Sequence, residues 1–391
     1  MSEIKEEQVP STPTLSEKQL KELEMFFQKQ SQMSTEASSS SNVAAAVNEP
    51  QPTVIADEPR PIAVADEPQQ KSTSRRPRNS RFFRQELPAS RPILTPKWVM
   101  TILTLVGLIF IPIGIGALIA SKNVVEVRMR YDDICIPGVY KDDAITYIKD
   151  AKINKTCGSH RLIIKKKMKA PIYMYYELHN FHQNHHRYVQ SKSNKQLRNK
   201  GGEKDVGSCS PLSYTANNEP IVPCGLIAWS LFNDTYRIFS NDKELKINKK
   251  DIAWKSDKHG KFGSDVHPKN FQTEGLIGGG KLDENIPLSE QEDLMVWMRT
   301  AALPNFRKLY GKIEVDIEAQ DNIEIVIENN YNSYEYQGKK SVVLSTTSWM
   351  GGKNDFPGIM LVAVGGLCLL LSLTYAVMCM LIPEDKKIKY V

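Results

Sequence analysis

Between Lys97 and Lys122 the chain runs 24 residues, Trp98 to Ser121, without one ionisable side chain. A helix rises about 1.5 Å per residue, so roughly 20 apolar residues cross a hydrocarbon core of about 30 Å. The run predicts a membrane span. A second run, Phe356 to Pro383, holds 28 residues between Asp355 and Glu384 and is long enough to cross with some tilt. Trp98 and Trp349 fall near the span ends, where amphipathic rings favour the interface. The expected organisation is an arm (1–97), a span (98–121), a loop (122–355), a second span (356–383) and a tail (384–391). Arm and tail share one side of the membrane, and the loop faces the other.

Composition alone misleads here. A net charge of +6 and 41% hydrophobic residues suit an ordinary globular protein, because the average merges a polar arm, two apolar spans and a domain-sized loop. The loop is large enough to bury its own core. Charge does not decide which side it faces. Within 20 residues of the spans the arms carry eight Lys/Arg and the loop seven, and the positive-inside bias weakens for long loops. Cysteines and sequons decide better. Four of six cysteines (Cys135, Cys157, Cys209, Cys224) and both N-x-S/T sequons (at Asn154 and Asn233) lie in the loop. The loop is therefore expected to be lumenal or extracellular and glycosylated, with both termini cytosolic. No cleavable signal precedes Trp98, so the first span is expected to direct insertion.

Most of the arm has a Ser-, Ala- and Pro-rich composition that cannot repay the entropy of ordering. One helix is expected at Ser16–Gln28, where Ser16 and Gln19 form a capping-box pattern and Leu20, Leu23 and Phe27 share a face. Its readings are a transient helix or a docking helix. Ser74–Lys97 carries seven Lys/Arg against one Glu, which suits ordinary juxtamembrane charge, an anionic leaflet or a partner's cytosolic face. In the spans, Pro112 predicts a kink, and Gly116/Ala120 and Ser372/Ala376 are small-xxx-small pairs that admit another helix.

The loop reads mainly as strands. Residues 171–178 alternate and are aromatic-rich, and Lys312–Glu318 and Asn322–Glu328 each set isoleucine or valine against carboxylates, suggesting a hairpin. Lys340–Thr346 is a further strand, and a helix is expected at Ser289–Arg299, opened by Ser289 with Glu292 three residues on. Four cysteines allow three pairings; sequential pairing, Cys135–Cys157 and Cys209–Cys224, closes the two shortest loops.

No stretch offers convincing catalysis. Gly275–Lys281 matches G-x-x-x-x-G-K but continues with Leu282 where a magnesium-binding Ser/Thr is needed, and it lies outside any βαβ context. His179, His182, His185 and His186 crowd one segment without a Cys or carboxylate at a familiar zinc spacing. The alternating Glu314 and Asp316 mark a solvated strand face rather than a glycosidase pair. No cofactor, metal or nucleic acid is expected.

Several runs together resemble one family: FIPIGIG (110–116), PIYMYYELHNFHQNHHRYVQS (171–191), IVPCGLIAWSLFNDTY (221–236), IAWKSDKHGKFG (252–263), VWMRTAALPNFRKLYGKIE (296–314) and STTSWMGGKN (345–354). The resemblance is to the cell-division-cycle/ligand-effect-modulator family, accessory β-subunits of type IV P-type ATPases, with QELPASRPILTPKWV (85–99) closest to the plant ALA-interacting subunits. It implies an integral membrane protein with two transmembrane helices and a large, disulfide-bonded, glycosylated, mainly antiparallel β ectodomain. It also implies a non-catalytic partner of an ATPase that moves phospholipid, needed for export from the endoplasmic reticulum. Endoplasmic reticulum, Golgi or endosomal membranes and the plasma membrane are the implied locations. The four loop cysteines match the family's disulfide positions, while His182 and His186 replace its usual Tyr and Arg. A rival reading is a membrane-anchored lumenal hydrolase or a receptor ectodomain.

Partner binding is expected at the turn His179–Tyr188, through His182, His186, Arg187 and Tyr188, and at Trp297, Arg299, Arg307 and Tyr310. Trp, Tyr and Arg dominate binding hot spots, and a connection after a strand must reach the surface.

Overall fold

The computed structural model describes residues 95–150, 152–272 and 279–381, with residues 19, 21, 22, 24–26, 28, 29 and 82. The capping box at Ser16, the apolar face of the arm helix and most of the basic juxtamembrane stretch lie outside the described residues; those described between Gln19 and Lys29 are helical. The longest helices include α1 (Pro96–Lys122), α2 (Glu292–Met298) and α3 (Phe356–Leu381). Among the described residues, α1 and α3 are the two helices apolar and long enough to cross a membrane. The chain forms two compact units, residues 1–41 with 113–360, and residues 42–112 with 361–391.

In the second unit the two span segments pack through glycine and hydroxyl contacts. Thr104 Oγ1 lies 2.8 Å from Ser372 Oγ, and Ser372 also donates to the Met100 carbonyl. A Cβ on Gly107 would sit 2.5 Å from Leu369, and one on Gly365 would sit 2.8 Å from Ile111. Small residues thus let the backbones approach, as in membrane helix pairs generally. The expected pair at Gly116 is not used this way, since a Cβ there would meet open space.

In the first unit, Ser121 Oγ donates to Asp355 Oδ1 at 2.5 Å and accepts from Asn354 N at 3.0 Å, tying the end of α1 to the start of α3. Between them the described residues of the loop build nine strands: β1 (Glu126–Arg130), β2 (Thr156–Ile163), β3 (Ile172–His179), β4 (Thr235–Ser240), β5 (Lys243–Leu245), β6 (Ile247–Asn248), β7 (Phe306–Ile313), β8 (Asn322–Glu328) and β9 (Lys339–Ser345). They form two antiparallel sheets, ordered β1-β9-β3-β7-β6 and β2-β8-β4-β5. The period of two explains the faces. Ile172, Met174, Tyr176 and Leu178 of β3 are buried, and so are Ile323, Ile325 and Ile327 of β8.

The expected hairpin of 312–318 with 322–328 does not form. β7 and β8 lie in different sheets, and each pairs with the ascending limb formed by β2 and β3. The pairs Ile172–Ile313, Met168–Ile317 and Ile163–Asn322 keep one antiparallel register, so a single two-stranded ribbon turns the corner from one sheet to the other. Alternation within 312–318 is real at Ile313 and Ile317, which are buried, but Val315 stands exposed at the corner.

α2 is shorter than expected and starts after a 3-10 turn at Leu288–Glu290, with Gln291 rather than Ser289 at its N-cap. Glu292 does not close a capping box. It is buried and accepts from the backbone N–H groups of Asp251, Ile252 and Ala253 and from Lys258 Nζ. At the other end of α2, Lys308 Nζ donates to the carbonyls of Val296, Trp297 and Arg299, which satisfies acceptors the helix leaves open. Burial pulls the Lys308 ammonium down to about 7.

Candidate partner-binding surface

The two stretches expected to bind a partner do meet. Asn180 N donates to Asn305 Oδ1 at 3.0 Å, Phe181 N to the Pro304 carbonyl at 3.0 Å, and Ala301 N to Gln183 Oε1 at 2.9 Å. Their aromatic residues, however, face inward. Phe181 packs its ring against Trp297, Phe306, Tyr331 and Tyr336. Trp297 is fully buried with Nε1 donating to the Ile227 carbonyl, so it belongs to the core and not to a surface. Tyr310 is also core: its ring meets Tyr236 edge-on, and its hydroxyl accepts from Tyr236 N. Tyr188 is the third correction. Its hydroxyl is buried beside Ser230 Oγ at 2.8 Å, and burial raises it well above the ordinary tyrosine range. Size explains all three, because large rings carry the most area to bury.

The cations and two of the imidazoles behave differently. His186 and Arg187 are exposed, and among the described residues Arg187 has no carboxylate at ion-pair distance. His182 and His185 are half-buried, and burial lowers both below the ordinary histidine range. Arg299 donates to Asp257 at 2.7 Å and lies 4.1 Å over the exposed ring of Trp254. Arg307 pairs with Glu126 at 2.9 Å.

Register places these groups along the sheet. Glu126, Ser345 and Tyr173 share one row, close in sequence to the joined helix ends; Leu178 and Phe306 pair at the opposite end. The His182–Arg187 turn therefore caps the sheet end opposite the row of Glu126, Ser345 and Tyr173. Arg307 lies on the solvent side of the same sheet, with Tyr173, Tyr175, Arg128 and Glu177, the last two 3.1 Å apart. The sequence reading missed this face. Its signal was present in the alternation of 171–178, whose outward set carries two of the three tyrosines, Tyr173 and Tyr175.

Phe26 stacks on Tyr188 at 5.7 Å, and Gln19 donates to the carbonyls of Pro211 and Tyr214. A first span that crosses a bilayer puts residues 19–29 and the loop on opposite sides. A two-span topology therefore excludes this packing in the inserted chain.

Disulfides join Cys135 to Cys157 and Cys209 to Cys224, while Cys368 and Cys379 are free. His160 Nε2 lies 3.0 Å from Cys157 Sγ; with both nearby sulfurs in a disulfide, that trio offers a metal no thiolate. Asn154 is exposed, and its Oδ1 accepts from Thr156 N and Oγ1. Asn233 is half-buried, and Thr235 Oγ1 of its sequon donates to Glu328 at 2.6 Å.

Two membrane helices bracketing a disulfide-bonded, mainly antiparallel β domain define the class, an integral membrane protein built on two spans and one folded loop. Residues 117–385 match the family model described as LEM3 (ligand-effect modulator 3) family / CDC50 family. The chain belongs to that family. It is 54% identical over 314 residues to "ALA-interacting subunit 3" of Arabidopsis thaliana, covering 80% of this chain and 89% of that one. It is 36% identical over 328 residues to "Cell cycle control protein 50A" of Bos taurus, covering 78% and 89%.

Proposed function

We propose that this chain is the non-catalytic β-subunit of a phospholipid flippase, assembled one to one with a type IV P-type ATPase. The observation that carries the reading is the family match together with 54% identity to a relative whose name describes an ALA-interacting subunit. The loop lies on the lumenal or extracellular side with sugars on Asn154 and Asn233, and both termini are cytosolic. The subunit is needed for its ATPase to leave the endoplasmic reticulum and to transport lipid.

The ATPase-facing groups are the exposed cations Arg187, Arg299 and Arg307 with His182 and His186. Arginine suits this role because its planar fork pairs with carboxylates across an interface at modest entropic cost. The test is an Arg187→Ala/Arg307→Ala double variant. It should fold and be glycosylated normally but lose ATPase co-purification, by about 2 kcal/mol at a true hot spot. Unchanged assembly and lipid transport would rule this surface out.

A further inference from the structure

Gly279 and Gly280 belong to the glycine-rich run that mimics a phosphate loop, and they have a different job. Gly280 N donates to the Leu231 carbonyl at 2.7 Å, and a Cβ on Gly280 would lie 3.3 Å from Asn233 Cβ. A Cβ on Gly279 would collide with the backbone of Leu231. The missing side chains let this loop lie directly against the sequon segment.

Beside that contact opens a cleft of about 510 Å³. It lies within the roughly 300–1,000 Å³ typical of small-ligand sites. Asn233 lines it, with Leu282 and Ile286 as apolar wall and Lys250, Lys281 and Glu290 as polar rim. The Asn233 amide is half-buried, with Oδ1 as its buried end and without a donor among the described residues. Nδ2 is the nitrogen an N-linked sugar occupies. We infer that the first sugars of an N-linked glycan on Asn233, the N-acetylglucosamine pair, seat in this cleft and form part of the folded domain. N-acetylglucosamine has apolar ring faces for Leu282 and Ile286, and hydroxyl and acetamide groups for the lysines and Glu290. Asp234, the middle residue of the sequon, is buried against Lys340, which fixes the backbone beside Asn233. Asn154 has no such surroundings and stands in open solvent.

The inference rests on the proposed glycosylation of Asn233. The experiment uses the full chain, made in a eukaryotic host and purified in mild detergent, with peptide N-glycosidase F as probe and site occupancy followed by mass spectrometry. In the folded chain, release at Asn233 should be at least tenfold slower than at Asn154, and the two rates should converge after reduction and unfolding. Ile286→Asp should speed release at Asn233 several-fold and leave Asn154 unchanged. Equal release from both sites in the folded chain, or an unaltered rate in the variant, would overturn the seated glycan while leaving glycosylation standing. An Asn233 that never carries sugar would overturn both.

Discussion

Lys340 Nζ lies 2.8 Å from Asp234 Oδ2, and both side chains are wholly shielded from solvent. The pair is fully dressed. Lys340 also donates to Asn329 Oδ1 and to the Tyr331 carbonyl; Asp234 accepts from the Asn330 and Tyr331 N–H groups and from the Tyr131 hydroxyl. Burial pulls the Lys340 ammonium below the ordinary lysine range, and Asp234 opposes that shift. The pair joins β9 to the start of β4, which lie in different sheets.

Breaking such a pair strands a buried charge and typically costs about 3–5 kcal/mol, whereas removing both charges can cost far less. Asp234→Asn and Lys340→Met should each destabilise the loop domain by that amount, and the double variant by clearly less than their sum. Asp234→Asn keeps the Asn233 sequon, so lost glycosylation cannot explain its defect. Chemical denaturation followed by tryptophan fluorescence measures all three; additive losses would show that the charges do not act as a pair.

The legible parts of the fold are those with one-dimensional signals. The spans declare themselves by uncharged length, and β3 and β8 by alternation at Ile172–Leu178 and Ile323–Ile327. Strand partnership was not legible, because 312–318 and 322–328 are adjacent in sequence yet belong to two sheets, a choice made by long-range pairing with β2 and β3. Residue type singled out two stretches that touch, at Phe181–Pro304, but could not say which rings face inward. Trp297 and Tyr188 are core because Phe181, Ile227 and Ser230, distant in sequence, close over them.

Cys209 and Cys224 close a loop of sequence separation 15 just before the fully buried run Leu226–Trp229. Loss of a native disulfide typically costs about 2–5 kcal/mol. Serine at either position should hold the chain in the endoplasmic reticulum, as seen by microscopy of tagged protein. Normal exit and normal assembly of both variants would refute this.

Acid should loosen the turn that holds His182. Burial lowers its folded-state pKa below the unfolded value of about 6.5, so the unfolded chain takes the proton first. The stability it contributes is intact above about pH 6.5 and is lost as pH falls toward the folded value. His185 shifts the same way, burial again the largest cause. Amide exchange across 180–190, corrected for intrinsic rates, should accelerate between about pH 7 and about pH 5.5, and His182→Tyr should blunt the change. A pH-independent wild-type turn would contradict the sign.

The span pair distinguishes two adjacent glycines. A side chain at Gly365 would run into Ile111, whereas one at Gly366 would meet nothing within 4 Å. Gly365→Leu should abolish disulfide trapping of Thr104→Cys with Ser372→Cys in a background lacking Cys368 and Cys379. Gly366→Leu should leave trapping intact. Equal trapping in both would show that the close approach at Gly365 does not hold the pair together.

The central claim is that this chain exists to accompany an ATPase. The most direct measurement is purification of the tagged full-length chain from its native membranes in mild detergent, with mass spectrometry of whatever comes with it. The expected result is a large P-type ATPase in about equal amount, in a complex that hydrolyses ATP and moves phospholipid only while the chain is present. Recovery of the chain without such an ATPase, or of a fully active transporting ATPase without the chain, would contradict it.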